Sequence, residues 1–226
     1  NRKIKFIGNI NDRINEDHLR ILRFFRFSLS ISGFFEKKIL RICKNNLHKL
    51  KKLSYERRIQ ELKKIILNPK IEKNEILNDL KDLIENTLES KINLNNFSRL
   101  CKLEFELKDE SFERRLKFFF RSKKIIPEFI FNNSDNRLKK RLEKNEIIKS
   151  YSENEFNLKL YKYNKIYLID QLLIDHADNL ISKNKFNDFI KKTNNFKKKK
   201  FPLNGDDLMK IGFKPGKVLG NVLEKV

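Results

Sequence analysis

The sequence has few of the residues that build turns, disulfide frameworks or membrane spans. It contains six glycines, four prolines and no tryptophan, so long stretches lack the two strongest helix breakers. The two cysteines, Cys43 and Cys101, have no histidine or cysteine at ligand spacing, which argues against zinc and for a reducing cytoplasm. No run of about 18 apolar residues and no signal peptide is present, so we expect no membrane partner.

Basic residues are in large excess over acidic ones. The chain has 52 lysines and arginines against 30 aspartates and glutamates, a formal net charge of +22. Such an excess predicts a polyanionic partner, and the 20 phenylalanines together with a helical pattern favour RNA over a membrane surface. Part of the lysine excess has another explanation, because asparagine, isoleucine and phenylalanine, the other amino acids of AT-rich codons, are also abundant.

The spacing of apolar residues predicts an all-α fold. The chain starts with Asn1 and not with methionine, and residues 4–7 read as a short strand, so we expect it to begin inside a longer protein. After this strand, apolar residues recur at spacings of three and four, as on one face of a helix. The predicted helices cover residues 9–27, 34–53, 55–67, 74–88, 95–105, 111–120, 134–151 and 156–181, and residues 201–220 predict a helix–turn–helix unit.

Residues 9–27 predict a single helix with two distinct faces, capped by Asn9. An apolar stripe runs through Leu19, Leu22 and Phe25 at a spacing of three. A polar face consists of residues three or four apart, namely Arg13, Asp17, Arg20, Arg23 and Phe27.

On the polar face, a carboxylate and a guanidinium one turn apart can form an acceptor beside a donor. Cytosine and adenine present an amine beside a ring-nitrogen acceptor, so Asp17 could accept from the amine while Arg20 donates to the ring nitrogen. Uracil and guanine present the reverse order, which would leave buried polar groups without hydrogen bonds. The spacing alone leaves a simpler interpretation open, an ordinary surface ion pair that contributes little.

The same stretch resembles the junction found in bacterial tRNA nucleotidyltransferases (CCA-adding enzymes) and their poly(A) polymerase relatives. The matching residues are Phe6-Ile7-Gly8, Arg13-Ile14, Glu16-Asp17-His18-Leu19-Arg20, Arg23 and Arg26-Phe27. Asn9 and Ile10 depart from the usual aspartate and proline. The resemblance implies that Asp17 and Arg20 template the incoming CTP or ATP, with Arg13 and Arg23 as further nucleotide-binding residues.

A second run, Leu53 to Leu62, resembles the helix that braces the templating helix in this family. Its Ser-x-Glu-Arg pattern falls on Ser54, Glu56 and Arg57, followed by Glu61. The resemblance implies that Glu56, Arg57 and Glu61, together with Glu16 of the first motif, hold Arg20 or Arg13 in place. A capped amphipathic helix with solvated ion pairs is the alternative.

The last segment combines a basic linker, residues 191–200, with a glycine- and proline-containing run over residues 201–220. Glycine and proline at a helix start expose backbone N–H groups that can hold a phosphate, although a solvated linker gives the same composition. The run resembles the tRNA-holding tail of the family. The predicted RNA contacts are Lys197, Lys198, Lys199, Lys200, Lys214, Gly216 and Lys217.

Two other patterns favour structural roles. In residues 112–121, phenylalanines alternate with arginines and lysines, which could stack bases, but a phenylalanine core with cations on the wet face is the preferred interpretation. His176 lies between Asp175 and Asp178. We interpret this run as a helix end, because no second histidine cluster accompanies it, and predict no metal ligand in the chain.

The chain shows no glycine–serine turn followed by an Asp-x-Asp strand, which this family needs to hold Mg²⁺ on the triphosphate. We therefore expect an all-α portion of the enzyme that lacks the catalytic head, contains no catalytic residue and is inactive alone. The expected substrates of the whole enzyme are CTP, ATP and tRNA, and the absent head is expected to bind its Mg²⁺. The predicted parts are residues 1–8 (end of the head), 9–68 (neck, with nucleobase-templating and RNA-binding helices), 69–190 (helical body) and 191–226 (basic linker and helical tail).

Two alternatives to a CCA-adding enzyme stay open. A poly(A) polymerase, or an enzyme that adds only part of CCA, would share the Glu-Asp-x-x-Arg motif. A free-standing helical RNA-binding protein without enzymatic activity would share the helical spacing of apolar residues and the net positive charge.

Overall fold

The computed structural model describes residues 4–121, 136–144, 148–198, 205–212, 214–216 and 220, and it confirms the all-α class. The chain divides into two compact units, residues 1–194 and 195–226. No strand occurs among the described residues, so residues 4–7, predicted as a strand, have no sheet partner there. In the described part of the chain, no helix is long and apolar enough to cross a bilayer.

Twelve α-helices are found among the described residues. They are α1 Ile10–Glu16, α2 Leu19–Phe27, α3 Lys37–Asn45, α4 Tyr55–Ile66, α5 Asn74–Thr87, α6 Phe97–Leu107, α7 Phe112–Phe120, α8 Asn136–Glu143, α9 Glu153–Lys162, α10 Lys165–Ala177, α11 Lys183–Asn195 and α12 Gly205–Lys210. A π-helical turn, Ser28–Ser32, extends α2, and two 3-10 helices cover Leu47–Lys52 and Pro69–Glu72.

The first unit is held together by helices that pack along buried apolar stripes. Helix α2 packs on α4, α6 on α10, α7 on α8, and α5 on the 3-10 helix Leu47–Lys52. Three phenylalanines near the start of the chain form an aromatic cluster. The ring centre of Phe25 lies 5.1 Å from that of Phe35 and 5.5 Å from that of Phe24. Full burial of one such side chain contributes about 1.5–3 kcal/mol.

The prediction of a single helix over residues 9–27 is wrong, because the helix is interrupted at Asp17. The backbone of Asp17 is extended, and its side-chain Oδ1 accepts a hydrogen bond from the backbone N–H of Leu19 at 3.1 Å. A short acidic side chain that bonds a nearby N–H competes with the helical pattern and starts a new helix. The predicted cap at Asn9 is confirmed, since its Oδ1 accepts from the N–H groups of Asn11 at 2.9 Å and Asp12 at 3.4 Å.

Other predicted helices are shorter than the apolar pattern suggested. The segment over residues 156–181 is divided because Asn164 caps α10 through its Oδ1, which accepts from the N–H of Ile166 at 2.9 Å. The segment over residues 34–53 is divided into α3 and a 3-10 helix. Ser54 precedes α4 as predicted, with extended backbone but without a side-chain cap.

The second unit is described only in part. Its α12 has Leu208 on the buried side and an ion pair between Lys210 and Asp207 at 3.8 Å. Residues 201–204, 213 and 217–219 of the predicted helix–turn–helix lie outside the described residues.

Candidate functional site

A cleft of about 220 Å³ opens between the start of the chain and the first two helices. Arg13 of α1 and Arg20 and Arg23 of α2 line it. One wall is mainly apolar and is formed by Ile4, Phe6, Ile7, Phe24 and Phe27, and Lys5 also lines the cleft. Three of the four predicted nucleotide-binding residues therefore share one cleft.

The guanidinium groups of Arg13 and Arg20 are held by one carboxylate. Glu16 Oε2 accepts from Nη1 of Arg13 and from Nη1 of Arg20, the latter at 2.7 Å. The hydrogen bond from Arg20, and then that from Arg13, lowers the pKa of Glu16 below its ordinary value. Arg20 Nη1 also donates to the backbone carbonyl of Arg13 at 2.8 Å. Glu16 thus contacts both arginines, and its bracing role stays a prediction.

Asp17 lies at the break between α1 and α2 and is not among the residues that line the cleft. The backbone N–H of Arg20 donates to the carbonyl of Asp17 at 3.1 Å, so the two residues lie one turn apart. Arg57 of α4 reaches Asp17 Oδ1 at 3.4 Å. Among the described residues, Asp17 Oδ2 has no hydrogen-bond partner, which leaves it available to accept one from a ligand.

Helix α4 supports α2 through partners other than those the resemblance implied. Buried Glu61 pairs with Arg26 Nε at 2.7 Å and with Lys64 at 3.0 Å, and Glu56 is exposed. Arg13 and Arg20 thus take their bracing from Glu16.

Arg26 is the residue that sequence reasoning missed here. Its guanidinium lies 4.2 Å from the centre of the Phe27 ring, so Arg26 links the α4 carboxylate of Glu61 to the rim of the cleft. The Arg26-Phe27 pair was visible in the motif, but nothing in the sequence indicated that Arg26 would pair with Glu61.

Comparison with known proteins finds curated relatives of this chain. No family model matches the chain. The mitochondrial CCA tRNA nucleotidyltransferase 1 of mouse is 26% identical over 100% of this chain and 54% of its own length. The CCA-adding enzyme of Ligilactobacillus salivarius is 28% identical over 99% of this chain and 57% of its own length, and that of Streptococcus uberis is 35% identical over 30% of this chain. The chain is a homologue of the CCA tRNA nucleotidyltransferases.

This homology confirms the resemblance noted in the motifs around Asp17. The chain spans about half the length of the curated relatives that it matches along its whole length.

The predicted RNA contacts of the second unit are described in part. Lys197, Lys198, Lys214 and Gly216 are exposed. The other three, Lys199, Lys200 and Lys217, lie outside the described residues.

The basic and aromatic residues of α7 form no exposed stacking surface. Phe118, Phe119 and Phe120 are fully buried, as the core interpretation predicted. The expectation that the cations form a wet face is wrong, because Arg114 and Arg115 are 2% and 3% exposed and share the buried carboxylate of Glu104.

Two further buried groups of the body have structural partners. Lys117 donates to the carbonyl of Lys144 at 2.6 Å, and burial lowers its pKa to about 8. His176 is buried at the end of α10, where it stacks on Phe186 and its Nδ1 lies 3.0 Å from the carbonyl oxygen of Ile181. These contacts fit a helix end.

Proposed function

We propose that this chain is part of an enzyme that adds C, C and A to tRNA 3′ ends from CTP and ATP, and that it supplies nucleobase selection and tRNA binding. The names of its relatives support the reaction class. The convergence of three arginines on one cleft is the observation that carries the assignment to nucleotide binding.

The cleft has the chemistry that a nucleoside triphosphate requires. Three guanidinium groups supply positive charge for phosphate or hydrogen-bond donors for a base, and the rings of Phe24 and Phe27 supply an apolar wall. Glu16 holds Arg20 through Nη1 alone. Among the described residues, Nε and Nη2 of Arg20 have no partner, so the N–H groups of these two nitrogens remain for a ligand.

Selection of C and A follows from the pairing of Arg20 with Asp17. The free carboxylate oxygen of Asp17 accepts from an exocyclic amine while Arg20 donates to the neighbouring ring nitrogen. Uracil and guanine present the reverse order, so each would place a carbonyl against the carboxylate. Arg57 positions Asp17 from the side of α4.

The cleft does not fit a Mg²⁺ site. Its lining residues include no carboxylate, and Glu16 beside it is engaged by two arginines. Mg²⁺ prefers several oxygen ligands in octahedral geometry. We therefore propose no metal-binding role for this cleft.

RNA binding is proposed for the second unit. The exposed lysines Lys197, Lys198 and Lys214 supply positive charge for phosphates, and Gly216 has φ +147, a conformation that favours glycine and leaves the backbone open to close approach. The same role is proposed for Lys199, Lys200 and Lys217 from their sequence pattern alone.

The selection role is tested with Asp17→Ala. We expect CTP and ATP to lose about 10-fold or more of their preference over UTP and GTP, because one charge-assisted hydrogen bond contributes about 1.5–3 kcal/mol. Dissociation constants of the four nucleotides measure this preference, and tRNA affinity should stay nearly constant. Asp12→Ala, which removes an exposed acid from the first turn of α1, is the matched control. An equal loss for all four nucleotides would count against base selection by Asp17.

A further inference from the structure

Arg115 of α7 joins the buried ion network of the later helices to the end of α4. Its Nε donates to the carboxylate of Glu104 at 2.6 Å, and its Nη1 donates to the backbone carbonyl of Ile66. Carbonyl groups in the last turn of a helix have no partner within that helix, and a cation placed there also complements the helix dipole. Because Ile66 is the last residue of α4, Arg115 caps α4 from a different helix.

The guanidinium of Arg115 is itself held in place. Its side chain is 3% exposed, and Glu104 of α6, which it contacts, is fully buried. Glu104 also accepts from Arg114 Nη1 at 3.0 Å, and Arg114 Nε donates to Asp170 of α10 at 2.9 Å. A guanidinium has its donors in a rigid planar fork, so the position of Glu104 fixes where the Ile66 carbonyl can lie. The end of α4 is thereby placed relative to α6, α7 and α10.

The junction that Arg115 closes contains a cavity of about 140 Å³. Leu67, Pro69, Cys101 and Arg115 are among the residues that line it. Side chains at a cavity make fewer packing contacts than side chains in a filled core. The hydrogen bond from Arg115 therefore has a larger share in fixing the end of α4 than it would have in a close-packed junction.

The same helix contacts both helices that carry the nucleotide cleft. Arg57 Nη2 lies 3.4 Å from Asp17 Oδ1, and Glu61 pairs with Arg26 Nε at 2.7 Å. With a rise of about 1.5 Å per residue, Arg57 and Glu61 lie roughly 14 Å and 8 Å before Ile66 along α4. A displacement of α4 along its axis therefore changes both contacts together.

We propose that Arg115 is a positioning residue for nucleotide selection. By capping α4 it keeps Arg57 against Asp17, and so keeps the Asp17 carboxylate where it accepts from the base. Arg115 is not among the residues that line the cleft, so it acts through α4. This inference rests on the proposed function and extends base selection to a residue of the later helices.

Replacement of the guanidinium in the complete gene product that contains this chain tests the proposal. Arg115→Met removes both donors, while Glu104 keeps Arg114 as its partner. The matched control is Arg141→Met, which removes another arginine of the network, bonded to Asp170 and without a hydrogen bond to α4 among the described residues. Values of kcat and KM for the addition of C from CTP and of U from UTP to a tRNA transcript that lacks CCA are measured for each variant, together with Tm.

We expect Arg115→Met to lower the ratio of kcat/KM for CTP to that for UTP by about 3- to 10-fold, a typical size for a change that acts through an intervening element. Arg141→Met should lower Tm but retain the ratio of the unmodified protein. An unchanged ratio for Arg115→Met, or an equal fall in both variants, would overturn the proposal. If Arg115→Met does not fold, Arg115→Lys, which keeps a positive charge beside Glu104, is measured with the same expected direction.

A double-mutant cycle with Arg57→Met tests the route through α4. Arg57→Met alone should lower the same ratio, and Arg115→Met should then lower it by less than about 2-fold more, because the contact that it maintains is already lost. Losses that simply multiply would contradict the route.

Asp17→Ala distinguishes failure of this inference from failure of the proposed function. If Asp17→Ala leaves the CTP-to-UTP ratio unchanged, the proposed function fails and this inference fails with it. If Asp17→Ala lowers the ratio and Arg115→Met does not, the inference about Arg115 alone is wrong.

Discussion

The buried ion network around Asp170 gives the sharpest prediction about stability. Asp170 of α10 is 0% exposed and accepts from Arg114 Nε at 2.9 Å and from Arg141 Nε at 2.6 Å and Nη2 at 2.8 Å. It therefore ties α7 and α8 to α10. Asp170→Ala removes one carboxylate partner from each of the two guanidinium groups.

The expected cost follows from what remains around each arginine. Removing one member of a buried pair costs about 3–5 kcal/mol because the other charge is left uncompensated. Arg114 keeps Glu104 at 3.0 Å and Asp109 at 2.8 Å, and the Arg141 side chain, 17% exposed, can turn toward water. We therefore expect the lower end, about 3 kcal/mol, which lowers Tm by roughly 6–12 °C in a chain of this size.

Differential scanning calorimetry measures the change. Asp188→Ala, which removes an exposed acid from α11, is the control and should shift Tm by less than about 2 °C. Asp170→Asn keeps the shape without the charge and should fall between the two. A shift for Asp170→Ala as small as that of the control would refute the claim that this carboxylate holds the three helices together.

Two further predictions concern titratable groups. Glu16→Gln should raise affinity for all four nucleotides, because a negative charge beside a triphosphate is removed, and should reduce discrimination, because Arg13 and Arg20 lose their shared partner; unchanged discrimination in a binding assay would contradict this. Burial lowers the pKa of Lys117 from 10.5 to about 8, so between these values the unfolded chain binds more protons and stability rises with pH. Lys117→Met should abolish that rise in denaturant titrations, and parallel pH curves would contradict the assignment.

Much of the fold was accessible from local sequence signals. The Asn9 cap and the Ser54 start of α4 follow from side chains that bond or precede a helix start within a few residues. The break at Asp17 was missed because an aspartate on a helix face and an aspartate that caps the next helix look alike in sequence. Only its bond to the N–H of Leu19 distinguishes them.

Part of the candidate site was also predictable from the spacing of residues in the sequence. The spacing of Arg13, Arg20 and Arg23 placed them together, and all three line one cleft. Long-range pairing was out of reach, since Arg114 and Asp170 are 56 positions apart and no periodicity connects them. The spacing of apolar residues in α7 therefore suggested a solvent-exposed position for Arg114, whereas its distant carboxylate partner allows it to be buried.

Nucleotide addition by the complete gene product that contains this chain tests the central claim most directly. A tRNA transcript that ends before CCA is incubated with Mg²⁺ and all four nucleoside triphosphates, and the added residues are sequenced. We predict the addition of C, C and A and then termination, with uracil and guanine excluded. Addition of a run of adenosines, or of no nucleotide at all, would contradict the account.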